Sequence, residues 1–251
     1  MIEKMISSFD GTQLYMNSET AADNKAIVVI VHGLCEHQGR YDYFVEKLHA
    51  AGYGTYRFDH RGHGRSQGDR PNYGTYHEIL DDTNVIVDMA IAENPDIPVY
   101  LLGHSMGGFT ALNAIAQGLP VRGGIIMAPC DMGMRYEDEP EKFAAMMETA
   151  TKGYFRLSHE TALQEDLQNN YKTWRFDALA DKIPQTMPLH FIGATRDSIV
   201  PPSTHILPLY RLLQERNMDV SYQELATGHI FANCRIALTD MIFDLVAQMD
   251  H

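Results

Sequence analysis

The sequence predicts an α/β fold, a mostly parallel sheet with helices on both faces. Three observations carry this. Runs such as Ala26–Val31 and Val99–Leu102 are apolar without alternation, as strands buried on both faces must be. Stretches with helical spacing separate them, which gives the rhythm of βαβ units. The length, 251 residues, suits one large domain or two small ones.

The elements follow in order. Phe9-Asp10-Gly11-Thr12 is a turn signal between two short strand-like runs, which predicts a hairpin at a sheet edge. The buried strand Ala26–Val31 comes next. Tyr41–Ala51 reads as a helix closed by Gly52, ahead of a strand over 54–58. A long helix is expected from Tyr76 to Glu93, stopping before Pro95. Strand Val99–Leu102, helix Met106–Gln117 and strand Gly124–Ala128 follow. Past an interruption come strand Leu189–Ile192, a helix over 203–216, strand Val220–Leu225 and a last helix over 233–249.

The interruption, 131–188, divides the expected core into 1–130 and 189–251. Phe143, Met146, Met147 and Ala150 fall at helical spacing, and Tyr136, Tyr154, Phe155, Tyr171, Trp174 and Phe176 lie in the same stretch. These aromatics either pack the segment onto the body or line the inner face of a helical lid. The lid is favoured, because the insertion follows the C-terminal end of a strand, where open α/β sheets bind ligands.

Composition narrows the function. With 33 acidic and 20 basic side chains the formal charge is −13, which disfavours nucleic-acid binding and electrostatic anchoring to anionic lipid. Hydrophobic content of 45% argues against disorder. The three cysteines, Cys35, Cys130 and Cys234, are widely spaced and odd in number, so a reducing compartment is expected. Residues 1–6 lack the basic start and apolar run of a signal peptide. The apolar run Ala26–Val31 is far shorter than the roughly 20 residues of a membrane span. A cytoplasmic protein without a stable membrane anchor is the expectation. The histidines form no metal-binding pattern; His60 and His63 miss the H-x-x-x-H spacing by one.

Gly103-His104-Ser105-Met106-Gly107 is a G-x-S-x-G sequence between a buried strand and a helix. A sharp turn there would strain the serine, and larger side chains at Gly103 and Gly107 would meet neighbouring backbone. The turn sets the hydroxyl near a helix N-terminus, where free N–H groups favour developing negative charge. Such a serine needs a base, and the base needs a carboxylate. His229, just past the strand ending at Leu225, is the expected base. His205 is expected at a helix surface, and His104 is expected to point away from the serine. Asp197, after Leu189–Ile192, is the favoured acid; Asp131, after the preceding strand, is the alternative, and is expected instead to cap a helix at the start of the insertion. Two backbone donors for an oxyanion are expected at Met106 and, in the loop His32-Gly33-Leu34, at Leu34. His32 is read as a buttress of that loop.

His32-Gly-Leu-Cys-Glu-His-Gln-Gly-Arg-Tyr41 resembles the H-G-x-x-E-H-x-G-R-Y signature of monoacylglycerol lipases and their lysophospholipase-like relatives. Asp59–Ser66 and Gly103–Gly108 are similar to the next two blocks of that family, and the resemblance resumes at the Asp197 and His229 loops. It implies an α/β-hydrolase fold with a short helical cap inserted after the sixth main strand. It also implies a triad of Ser105, Asp197 and His229, oxyanion donors at Leu34 and Met106, and no cofactor. Glu36 and Arg40, with His32 and Gly33, are read as support for the oxyanion loop, or as contacts to a glycerol-like leaving group. Asp59–Ser66 is read as a structural turn.

The expected activity is hydrolysis of carboxylic esters through an acyl-serine, on monoacylglycerols or lysophospholipids, with transient lipid contact through the cap. A short- to medium-chain carboxylesterase is the main alternative. An amino- or iminopeptidase with an acidic cap site and a non-catalytic binding module are weaker ones.

Overall fold

A computed structural model of the chain describes residues 1–68, 75–134 and 169–249. The expected hairpin is β1 (Ile2–Ser7) with β2 (Gln13–Glu19), paired antiparallel at one edge of an eight-stranded sheet. Strands β3 (Ile27–Val31), β4 (Gly54–Phe58), β5 (Val99–His104), β6 (Gly123–Met127), β7 (Leu189–Ala194) and β8 (Val220–Leu225) run parallel. The order is β1-β2-β4-β3-β5-β6-β7-β8. Helices α1 (Asp42–Ala50), α2 (Tyr76–Glu93), α3 (Met106–Ala116), α4 (Phe176–Ala180), α5 (Ile206–Glu215) and α6 (Arg235–Met249) cover it. The Gln38–Tyr41 segment is a 3₁₀ turn. This is the mostly parallel, helix-flanked sheet that the α/β-hydrolase expectation described.

Alternation across the pleat divides the core into two layers. Ile27, Val29 and Val31 pack with α2 and α3, whereas Val28 and Ile30 pack with Phe44 of α1 and Ile242 and Leu245 of α6. Both faces are buried, so β3 and residues 99–102 of β5 carry apolar side chains without alternation, which is why they read as continuous runs. Helix α2 begins at a capping box, with Thr75 accepting from the Glu78 N–H and Glu78 reaching back to the Thr75 N–H.

The chain leaves β3 towards β4 on one side and returns to β5 on the other. Between β3 and β5, then, lies the point where the winding reverses, and the loops past their C-terminal ends open a crevice. The expected insertion, 131–188, falls between β6 and β7. Its expected lid, including Phe143, Met146, Met147 and Ala150, lies outside the described residues. Trp174 and Phe176, from its described end, pack as core: both are buried, with ring centroids 5.9 and 6.3 Å from Phe109. Among the described residues no helix is long and apolar enough to cross a membrane.

Candidate active site

Ser105 sits on the turn from β5 into α3 with φ 54° and ψ −116°, a conformation that costs an L-residue on the order of 1–3 kcal/mol. The turn is held by Ser105 N–H on the Met127 carbonyl (2.8 Å) and Phe109 N–H on the Ser105 carbonyl (3.0 Å). The flanking glycines let it close. A Cβ on Gly103 would lie 2.3 Å from the Gly107 carbonyl oxygen, and one on Gly107 would lie 2.1 Å from that of Val31.

Three loops converge on this serine. His229 Nε2 is 2.8 Å from Ser105 Oγ, and His229 Nδ1 is 2.7 Å from Asp197 Oδ2. Asp197 is buried, and its other oxygen accepts the N–H groups of Ile199 (2.9 Å) and Val200 (2.8 Å). Nδ1 therefore carries the proton and Nε2 presents its lone pair to the hydroxyl. Burial lowers the His229 pKa from its ordinary value against the opposing pull of Asp197, which favours the neutral ring.

The loop expected to receive an oxyanion is built from buried histidines and one carboxylate. His32 Nδ1 donates to the Gly33 carbonyl (2.7 Å) while its Nε2 accepts the His60 N–H (3.0 Å). Both nitrogens are committed, and burial holds the ring well below the usual histidine range, so His32 supports the loop. His60 Nε2 donates to the His32 carbonyl (3.0 Å), and His63 Nε2 accepts the Cys35 N–H (3.3 Å). Asp59 accepts the Gln38 and Arg65 N–H groups, which makes Asp59–Ser66 the structural turn expected of it.

Glu36 gathers this loop: Oε2 accepts the Gly33 N–H (3.1 Å) and the Tyr41 hydroxyl (3.3 Å). Arg40 pairs with Glu36 and also donates to the Ile230 carbonyl, which ties the oxyanion loop to the His229 loop. Of four successive amides, those of Gly33, Cys35 and Glu36 are engaged within the described residues, leaving that of Leu34. Met106 opens α3, so its N–H has no intrahelical acceptor. Both groups belong to the crevice loops and can serve an anion.

His104 has a part the sequence does not signal. Its Nε2 donates to the backbone carbonyl of His229 (2.9 Å), and its Nδ1 lies 3.0 Å from Glu36. Burial, helped by the Arg40 charge that Glu36 already answers, pushes its pKa down to about 4. Two further placements settle smaller questions. Asp131 accepts the Met134 N–H (2.9 Å) and the Phe176 N–H (3.0 Å), so it caps a helical turn and both its oxygens are engaged away from His229. His205, expected at a helix surface, is buried instead and accepts the Asp131 N–H on Nδ1 (3.0 Å). The reason is local: α5 begins at Ile206, so His205 precedes the helix and does not follow its phase. Among the described residues no group of three or more His, Cys, Asp or Glu is arranged to hold a metal ion.

Residues 22–173 match the family described as serine aminopeptidase, S33. A monoacylglycerol lipase of Mycolicibacterium smegmatis is 43% identical over 86 residues, 34% of this chain and 31% of that protein. Phospholipase YtpA of Bacillus subtilis is 36% identical over 107 residues, 42% of this chain and 40% of that one. The matched stretches thus span well under half of these relatives. Among solved structures, a carboxyl esterase from Bacillus coagulans superposes with TM-score 0.76 at 18% identity, covering 100% of this chain and 99% of the other. The monoacylglycerol lipase of Paleococcus ferrophilus gives 0.68 at 23% identity, covering 94% and 99%. At those identities the likeness is one of fold.

Proposed function

The chain belongs to the serine aminopeptidase, S33, family of hydrolases, and from that premise we propose that it hydrolyses carboxylic esters through an acyl-serine. The observation that carries this is the unbroken hydrogen-bonded line from Ser105 through His229 to Asp197 at the C-terminal ends of the strands. Ser105 Oγ attacks the ester carbonyl as His229 Nε2 takes its proton; the same imidazolium then protonates the departing alcohol. Asp197 keeps the proton on Nδ1 and stabilises the charged ring. The N–H groups of Leu34 and Met106 receive the oxyanion, a contribution on the order of 3–4 kcal/mol per donor in such sites. Water repeats the sequence on the acyl-serine, and no cofactor is needed.

Monoacylglycerols and lysophospholipids are the substrates proposed, supported by the two lipid-cleaving relatives named above. Residues 131–188 are proposed as the cap over the acyl chain, in transient contact with lipid. A cytoplasmic location goes with this reading, on three cysteines widely spaced in the sequence.

A fluorophosphonate probe tests the chemistry: it should label the protein once, and Ser105→Ala should lose both label and turnover while keeping its fold. Labelling that survives in Ser105→Ala would overturn the assignment. Turnover of glyceryl esters from two to eighteen carbons tests the substrate. If the acyl chain is buried, each methylene contributes up to roughly 0.8 kcal/mol, and kcat/KM should rise from acetate to medium chains by up to about a hundredfold. A flat or falling profile makes the protein a short-chain esterase.

A further inference from the structure

Behind the His229 loop, between α1 and α6, lies a cavity of about 180 Å³ whose lining includes none of Ser105, Asp197 or His229. Its floor is apolar, formed by Phe44, Met127, Phe231 and Ile242. Its polar side is cationic. Arg40 and Arg235 both line it, and in a chain of formal charge −13 two guanidiniums on one small cavity stand out. Arg40 is engaged by Glu36 and the Ile230 carbonyl. Arg235 is exposed, packs its guanidinium over Tyr43 at 4.9 Å from the ring centroid, and has no ion pair among the described residues. It is also the first residue of α6, a helix of 15 residues whose Leu238, Thr239 and Ile242 continue the same wall.

We propose that this cavity is a second ligand site, for a small carboxylate carrying a short apolar tail. The carboxylate would lie against Arg235 and the start of α6, within reach of Arg40, with the tail on the Phe44–Ile242 floor. The volume sets the tail length: a dry apolar cavity of about 150 Å³ holds one benzene-sized group, so about five or six carbons fit here. That such an acid is also the product of the enzyme's own reaction rests on the ester-hydrolase reading; the site itself does not. Because Arg40 ties the Ile230 carbonyl to Glu36, an anion that draws on Arg40 would act on the histidine loop from behind.

Calorimetric titration of hexanoate into the full-length Ser105→Ala protein tests the site without turnover. Hexanoate should bind, hexanamide should bind at least tenfold more weakly, and Arg235→Ala, an exposed substitution, should weaken hexanoate at least tenfold. Dodecanoate should gain little over hexanoate, because the cavity is already full. Lack of hexanoate binding at millimolar concentration, equal binding of the amide, or an unchanged affinity in Arg235→Ala would each overturn the proposal. So would a steady gain of about fourfold per added methylene through twelve carbons, the sign of an open acyl tunnel. A failed fluorophosphonate experiment would leave all four outcomes readable, so the two readings fall separately.

Discussion

Asp131 and Asp197 follow consecutive strands, β6 and β7, and both are buried at the same end of the sheet. They differ in how their oxygens are engaged. Asp131 gives one oxygen to the Met134 N–H and the other to the Phe176 N–H, so the backbone uses the whole carboxylate. Asp197 gathers two N–H groups, from Ile199 and Val200, on a single oxygen and keeps the second for His229. A carboxylate can orient an imidazole only if the turn that holds it leaves an oxygen over. Distance along the chain from Ser105 does not decide the matter.

The sharpest break in this comparison comes from paired amide substitutions. Asp197→Asn should lower kcat on the order of 10⁴-fold, because an amide favours the wrong tautomer of His229. Comparable loss in Asp131→Asn, with Asp197→Asn nearly active, would reverse the assignment. The pH profile sharpens the same contrast. In the proposed mechanism His229 is a base only when neutral, so kcat/KM should fall as pH drops through its lowered pKa, with the midpoint of that limb below the ordinary histidine value. Asp197 opposes the downward shift, so Asp197→Asn should move the limb to still lower pH, and Asp131→Asn should leave it in place. The smallest effect is on Asp131 itself. Asp131→Asn should keep kcat within about tenfold of wild type, small beside the loss expected at Asp197. It should cost about 1–3 kcal/mol of stability in denaturant titration, since an amide cannot accept both N–H groups.

Much of this site is legible in the sequence because its parts are local. The turn at Ser105 announces itself through Gly103 and Gly107, whose absent side chains are demanded by backbone only 2.1–2.3 Å from a Cβ. His229 and Asp197 are legible by position, each past a strand end. Side chains whose partners lie far along the chain are not. The hydrogen bond from His104 to the His229 carbonyl spans 125 residues, and the one from the Asp131 N–H to His205 spans 74. The aromatics of 131–188 are ambiguous in the sequence for a related reason. Helical spacing shows that a face is apolar but not what it meets, and Trp174 and Phe176 turn out to meet Phe109.

The backbone at Ser105 has a consequence for anyone selecting variants of this chain. Its positive φ stores strain of roughly 1–3 kcal/mol, more than the about 0.5–1 kcal/mol of backbone entropy that a glycine would forfeit on folding. Ser105→Gly should therefore melt higher than the parent while hydrolysing nothing. A library sorted by heat resistance alone would drift towards inert protein at this position, and only a sort that also reads out catalysis would hold the serine in place.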